Sequence, residues 1–102
     1  MDMAEYQVTC INKPDRNSSH EHITHIGNLE ANWKLTREDA IRRIDAGQEA
    51  FYTVDFAANR KVYVRVVREQ GKAPYLRTQA DGKWTDNLLA LGECGPNCKI
   101  PT

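Results

Sequence analysis

Two alternating runs, AFYTVDF at 50–56 and KVYVRVVR at 61–68, stand four residues apart and constrain the fold more than any other feature. In the first, Tyr52, Val54 and Phe56 alternate with Phe51, Thr53 and Asp55. In the second, Val62, Val64 and Val66 form one face, while Lys61, Tyr63, Arg65 and Val67 form the other. Period two is the repeat of a strand with one buried face, and the AANR between them is of hairpin length. The apolar face of such a hairpin needs a cover.

LTREDAIRRIDAGQ supplies it, with Ala40, Ile41 and Ile44 on one helical face, extended by Leu35. Thr36 is placed to cap the first turn. Asp39 stands where a capping box would answer back, and Leu35 can staple onto Ala40. Gly47 is the expected left-handed stop. A helix over 36–46 is too short to stand alone, so it is expected to pack Ile41 and Ile44 on Val62, Val64 and Val66.

Earlier, YQVTCIN alternates as a strand, with Tyr6, Val8 and Cys10 facing away from Gln7, Thr9 and Ile11. KPDRNSS reads as a loop, and HITHIGN as a second strand pairing back on the first. Later, PYLRT reads as a strand, ADGKW as a turn, NLLAL as an apolar segment of undecided type, and 92–102 as a loop-like tail. The expectation is one α+β domain over 1–102: an antiparallel sheet of about four to five strands with one helix across a face, in the order strand, strand, helix, strand, strand, strand.

The chain has 102 residues, 40% hydrophobic and 27% charged. A domain of that size buries roughly 60–70% of its unfolded surface and folds without staples. No run approaches the roughly 20 apolar residues of a membrane span. The polar, acidic start MDMAEYQ is read as excluding a secretory leader and favouring the cytoplasm. Zero net charge removes any overall field for nucleic acid or anionic lipid. Within that balance, residues 1–50 carry nine acids against six bases, and 51–102 carry five against eight. Three cysteines, an odd number, argue against a disulfide framework, and in a reducing cytoplasm all three are expected as thiols.

The ordered series VTCINKPD, HEHITHIG, WKLT with DAIRRIDAG, then YLRT, ADG and DNLLAL resembles a family of small, mostly bacterial proteins catalogued only as domain of unknown function 3892. The resemblance runs from about Tyr6 to Cys94 and rests on the series, since no single motif in it is specific. It implies a compact domain of this size and brings no reaction or ligand with it. It also implies a short apolar-proline-cysteine ending, where this chain has LGECGPNC with a second cysteine.

Two clusters carry metal-ligating side chains: His20, His22 and His25 in HEHITH, and Cys94 and Cys98 around GPN. Zinc takes thiolates and imidazoles as short-spaced pairs. Cys94 and Cys98 with His20 and His22 therefore form the candidate metal set, Cys10 being a further donor from a neighbouring strand. His25 is expected on the opposite strand face. The competing reading has solvated histidines beside Glu21 and unpaired thiols, and no known finger is matched. No cofactor is assigned, zinc being the one metal these residues suggest. A reversible Cys94–Cys98 disulfide is sterically open, although redox pairs normally enclose two residues and open a helix. There is no G-x-S-x-G, H-E-x-x-H or phosphate loop, so no catalytic residue is assigned and the chain is read as a non-enzyme.

Lys61, Tyr63 and Arg65, joined by Arg68, Tyr75, Arg77 and Trp84, mix cations with aromatics as a base-stacking sheet surface does. Alternating Lys and Arg are equally the ordinary solvent face of a sheet. Zero net charge and the lack of the familiar paired-aromatic motif weigh against nucleic acid. The preferred reading is a small non-enzymatic binding or regulatory module acting through a protein–protein surface. A nucleic-acid-binding module on the same face is the alternative, and a zinc-stabilised domain the second. Tyr63, Arg65, Tyr75, Arg77 and Trp84 are the candidate contacts for an unidentified protein partner, with no membrane, and Trp33 is a further aromatic anchor.

Overall fold

The computed structural model describes residues 4–15, 17–95 and 98. Among the described residues nine strands and one helix follow in order: β1 (Ala4–Gln7), β2 (Cys10–Asn12), β3 (His25–Asn28), β4 (Trp33–Thr36), α1 (Arg37–Asp45), β5 (Glu49–Asp55), β6 (Arg60–Val67), β7 (Tyr75–Ala80), β8 (Lys83–Thr85) and β9 (Gly92–Glu93). A 3-10 turn, His20–His22, precedes β3. The strands form two sheets, ordered β1-β5-β6-β7-β8 and β4-β3-β2-β9. α+β holds as the class, but the single antiparallel sheet does not: there are two sheets, and β1–β5 and β2–β9 pair in parallel.

The second sheet arises because YQVTCIN is shared between sheets. The Val8 N–H donates to the Tyr52 carbonyl at 2.7 Å, while the next N–H, on Thr9, donates to Gly27 at 2.8 Å. Successive amides of an extended chain point to opposite sides, so one continuous run can be claimed by a different neighbour on each side. The alternation in sequence passes through this crossing unchanged. HITHIGN does pair back antiparallel, with Ile11 opposite Ile26. WKLT adds a strand beside it that ends directly in the helix, with Leu35 opposite Ile26.

The core lies between the sheets and under α1. Val8, Ile11, Ile23, Ile26, Leu35, Ala40, Phe51, Val64, Leu76 and Leu88 are buried together, with Trp33, Ile41, Ile44 and Val66 half-buried against them. Ala40, not Ile41 or Ile44, is the buried residue of the helix. Thr36 Oγ1 accepts from the Asp39 N–H at 3.1 Å, as a cap should. The Asp39 carboxylate does not close a capping box; it binds Arg42 and Arg43. Gly47 ends the helix at φ 74°. NLLAL is a turn that buries Leu88, with the Ala90 N–H on the Asp86 carbonyl. The supposed tail starts as a strand: Gly92 and Glu93 pair with Cys10 and Ile11.

Candidate interaction face and cysteine cluster

The larger sheet turns Phe51, Thr53, Val62, Val64, Leu76 and Thr78 inward, all buried. Their neighbours therefore point outward. Register aligns Tyr52 with Tyr63, Tyr63 with Gln79, and Gln79 with Trp84, and places Arg65 opposite Arg77. Partners in register share a face, so four of the five candidate contacts, Tyr63, Arg65, Arg77 and Trp84, lie on one surface. The Tyr52 and Tyr63 rings are 6.1 Å apart. Lys61 Nζ stands 4.5 Å from the Tyr52 ring centre and the Arg65 guanidinium 5.4 Å from that of Tyr63. Trp84 is 42% exposed.

Tyr75 shares this parity but is buried, and its hydroxyl donates to Glu69 at 3.0 Å. Arg68 leaves the face to bind Asp45 on the helix. The sequence reading missed Glu5, which sits far from this group in the chain. Its carboxylate accepts from Lys61 Nζ and from the Tyr63 hydroxyl, both at 3.0 Å. The Lys61 hydrogen bond, then that of Tyr63, lowers the Glu5 pKa, and the same contact raises those of Lys61 and Tyr63. Arg77 binds Asp86 at 2.9 Å. Arg65 is the one cation of the face without a carboxylate among the described residues. Phe56, read as a strand residue, is instead 83% exposed at the tip of the β5–β6 hairpin.

Among the described residues, the histidines and cysteines are not brought together as the expected set. His20 is buried in the 3-10 turn, its Nε2 3.7 Å from Asp86 and without a hydrogen bond. Burial first, then the Arg77 charge, lowers its pKa. His22, in the same turn, is exposed. Among the described residues no group of three or more His, Cys, Asp or Glu side chains is arranged to hold a metal. The expectation of three thiols fails, because Cys94 is bonded to Cys10 across a separation of 84 positions. Two sulfurs in a disulfide are not thiolate ligands.

Cys98, a free thiol, is buried in one cluster with both bonded cysteines. Local structure holds this cluster in place. The Cys94 N–H donates to the Ile11 carbonyl at 3.0 Å, and Asn12 Nδ2 donates to the Cys94 carbonyl at 3.1 Å. The Cys98 N–H donates to the Gly95 carbonyl at 3.2 Å, which holds Cys98 beside Cys94. Gly27 lies opposite Cys10, and a Cβ there would stand 3.0 Å from Cys94 Sγ and 2.4 Å from the Trp33 carbonyl oxygen. His25 lies opposite Asn12 and so shares the Cys10 face; its Nδ1 is 2.9 Å from Thr24 Oγ1.

At the other side, Tyr6, Trp33, Leu35 and Phe51 line a cleft of about 180 Å³ with the Arg43–Glu49 pair at its rim. The three rings lie 5.8–6.2 Å from one another. They pack as an extension of the core.

A family model described as protein of unknown function (DUF3892) matches residues 7–92. The match takes in Cys10 and the sheet face, and stops short of Cys94 and Cys98. No curated protein and no solved structure matches the chain.

Proposed function

The chain belongs to this family of proteins of unknown function, and, since membership brings no activity with it, we propose that the domain is a non-enzymatic binding module whose contact surface is the outer face of the five-stranded sheet. The observation that carries this reading is the row Tyr52, Tyr63 and Trp84 beside Arg65, which has no carboxylate partner among the described residues, on a face left open to solvent. Tyrosine, tryptophan and arginine are the side chains that most often dominate protein interfaces.

The charge pattern favours a protein over a polyanion. Lys61 and Arg77 each carry a carboxylate, Glu5 and Asp86. A phosphate chain laid on this face would meet both acids, whereas strong nucleic-acid binding depends on several uncompensated cations. A polypeptide offering one carboxylate to Arg65 among apolar side chains fits better. No helix among the described residues is long and apolar enough to cross a membrane. We place the module in the cytoplasm on its polar, acidic start, a compartment where the disulfides that form are those that cycle.

The test is affinity capture with the whole chain and with Tyr63→Ala and Arg65→Glu, followed by hydrogen exchange on the recovered complex. A protein that resists raised salt and nuclease, is lost with either variant, and protects the β6–β7 amides supports the reading. Capture that nuclease abolishes would transfer the face to nucleic acid.

A further inference from the structure

The sheet-face reading makes no use of the three cysteines, which are close enough for chemistry of their own. We propose that Cys10, Cys94 and Cys98 form a thiol–disulfide exchange centre, in which Cys98 attacks the Cys10–Cys94 bond and an external dithiol is the substrate that finally reduces it. The basis is the burial of all three side chains in one cluster, with one disulfide and one thiol among them. Cys10 has no exposed surface and Cys94 is 7% exposed. Cys98, 6% exposed, lies in the same cluster, so its attack needs no approach from solvent, and the bond it forms no longer includes the fully covered Cys10. Exchange needs access above all, since the attacking thiolate must approach a sulfur directly.

Cys94 is the fixed member of the trio. Ile11 and Asn12 hold its backbone on both sides, and the hydrogen bond from the Cys98 N–H to Gly95 holds Cys98 near it. In the step, Cys98 loses its proton and its sulfur attacks Cys94 Sγ. The Cys94–Cys98 bond forms as the Cys94–Cys10 bond breaks, and Cys10 leaves as a thiolate that takes up the proton. One disulfide and one thiol stand on each side, so no oxidant or reductant is consumed. A dithiol then reduces the Cys94–Cys98 bond, itself becoming a disulfide and leaving three thiols. The exchange converts a tie between β2 and the segment after β9 into a local loop of GPN.

The first experiment uses the unaltered chain. Oxidised protein is held at mildly alkaline pH with a chelator, quenched in acid, labelled with N-ethylmaleimide in denaturant, and mapped by mass spectrometry. The expected map contains Cys94–Cys98 peptides with label on Cys10, beside the Cys10–Cys94 form with label on Cys98. A map in which Cys98 alone is labelled overturns the proposal. The second experiment follows reduction by dithiothreitol: Cys98→Ser, shown folded by circular dichroism, is expected to be reduced several-fold more slowly. Equal rates would mean that the dithiol reaches the Cys10–Cys94 bond directly, which overturns the role of Cys98 in its reduction.

Discussion

The two sheets reach stability by different means. In the larger one, β5 and β6 run seven and eight residues, and β6 pairs with β5 over four positions and with β7 over five. In the smaller one, β2 has three residues and β9 two, and a bond ties Cys10 of β2 to Cys94, the residue after β9. Short ladders give few hydrogen bonds and little cross-strand packing, each pair adding only tenths of a kcal/mol to about 1. Where pairing is that sparse, a covalent tie between distant positions sets the register. The comparison predicts that the sheets fail separately and under different stresses.

Loss of the tie should give the largest effect. A crosslink spanning 84 positions removes about 4.5 kcal/mol of unfolded-chain freedom on the chain-entropy account, a large share of the roughly 5–15 kcal/mol typical of a domain. Cys10→Ser is therefore expected to lower the urea midpoint sharply. Hydrogen exchange should show the loss first at the β2 and β3 amides, with the β6–β7 ladder opening later. Uniform loss of protection across both sheets would mean that they form one cooperative unit.

Gly27→Ala tests the same corner without touching sulfur. Its Cβ would meet a backbone oxygen at 2.4 Å, and backbone does not swing aside as a long side chain does. Overpacking of this kind costs typically about 1–3 kcal/mol. The variant should remain folded, with a lower denaturation midpoint and faster reduction of the Cys10–Cys94 bond. Unchanged reduction would show that Gly27 makes room for β4 alone.

The same contrast explains how much could be read from sequence. Strands of seven or eight residues carry their alternation openly, so the face holding Tyr63, Arg65 and Arg77 was legible, as was the helix with its Thr36 cap. The smaller sheet was not. Its strands have two to four residues, and YQVTCIN alternates through the crossing at Val8 and Thr9, because alternation records faces and not which neighbour takes each amide. The 3-10 turn breaks the two-residue count, which is why His25 shares a face with Cys10 despite its spacing from His20 and His22. The pairing of Cys10 with Cys94 joins opposite ends of the chain, and no local pattern contains it. Tyr75 departs for a related reason: its strand parity is right, but it is buried and its hydroxyl is bound to Glu69 in the loop before the strand.

Acid should sharpen the comparison with the smallest effect. His20 sits in the turn that packs on β7, and its pKa is lowered from 6.5 by burial and then by Arg77, with Asp86 opposing. His25, on β3, is lowered from the same value by burial and then by Lys34. For a histidine depressed in the fold, the unfolded chain takes up the proton first, so stability is full above pH 6.5 and falls as pH drops toward the lower folded value. Glu5, lowered from 4.5 by Lys61 and Tyr63, acts in the same direction at more acid pH. His20→Asn should flatten the stability profile just below neutrality and spare the β7 amides from acid-induced exchange, while His25→Asn should do so for β3. If the double variant keeps the full slope in that range, buried imidazoles are not its source, and the ends of the two sheets respond to acid through their carboxylates instead.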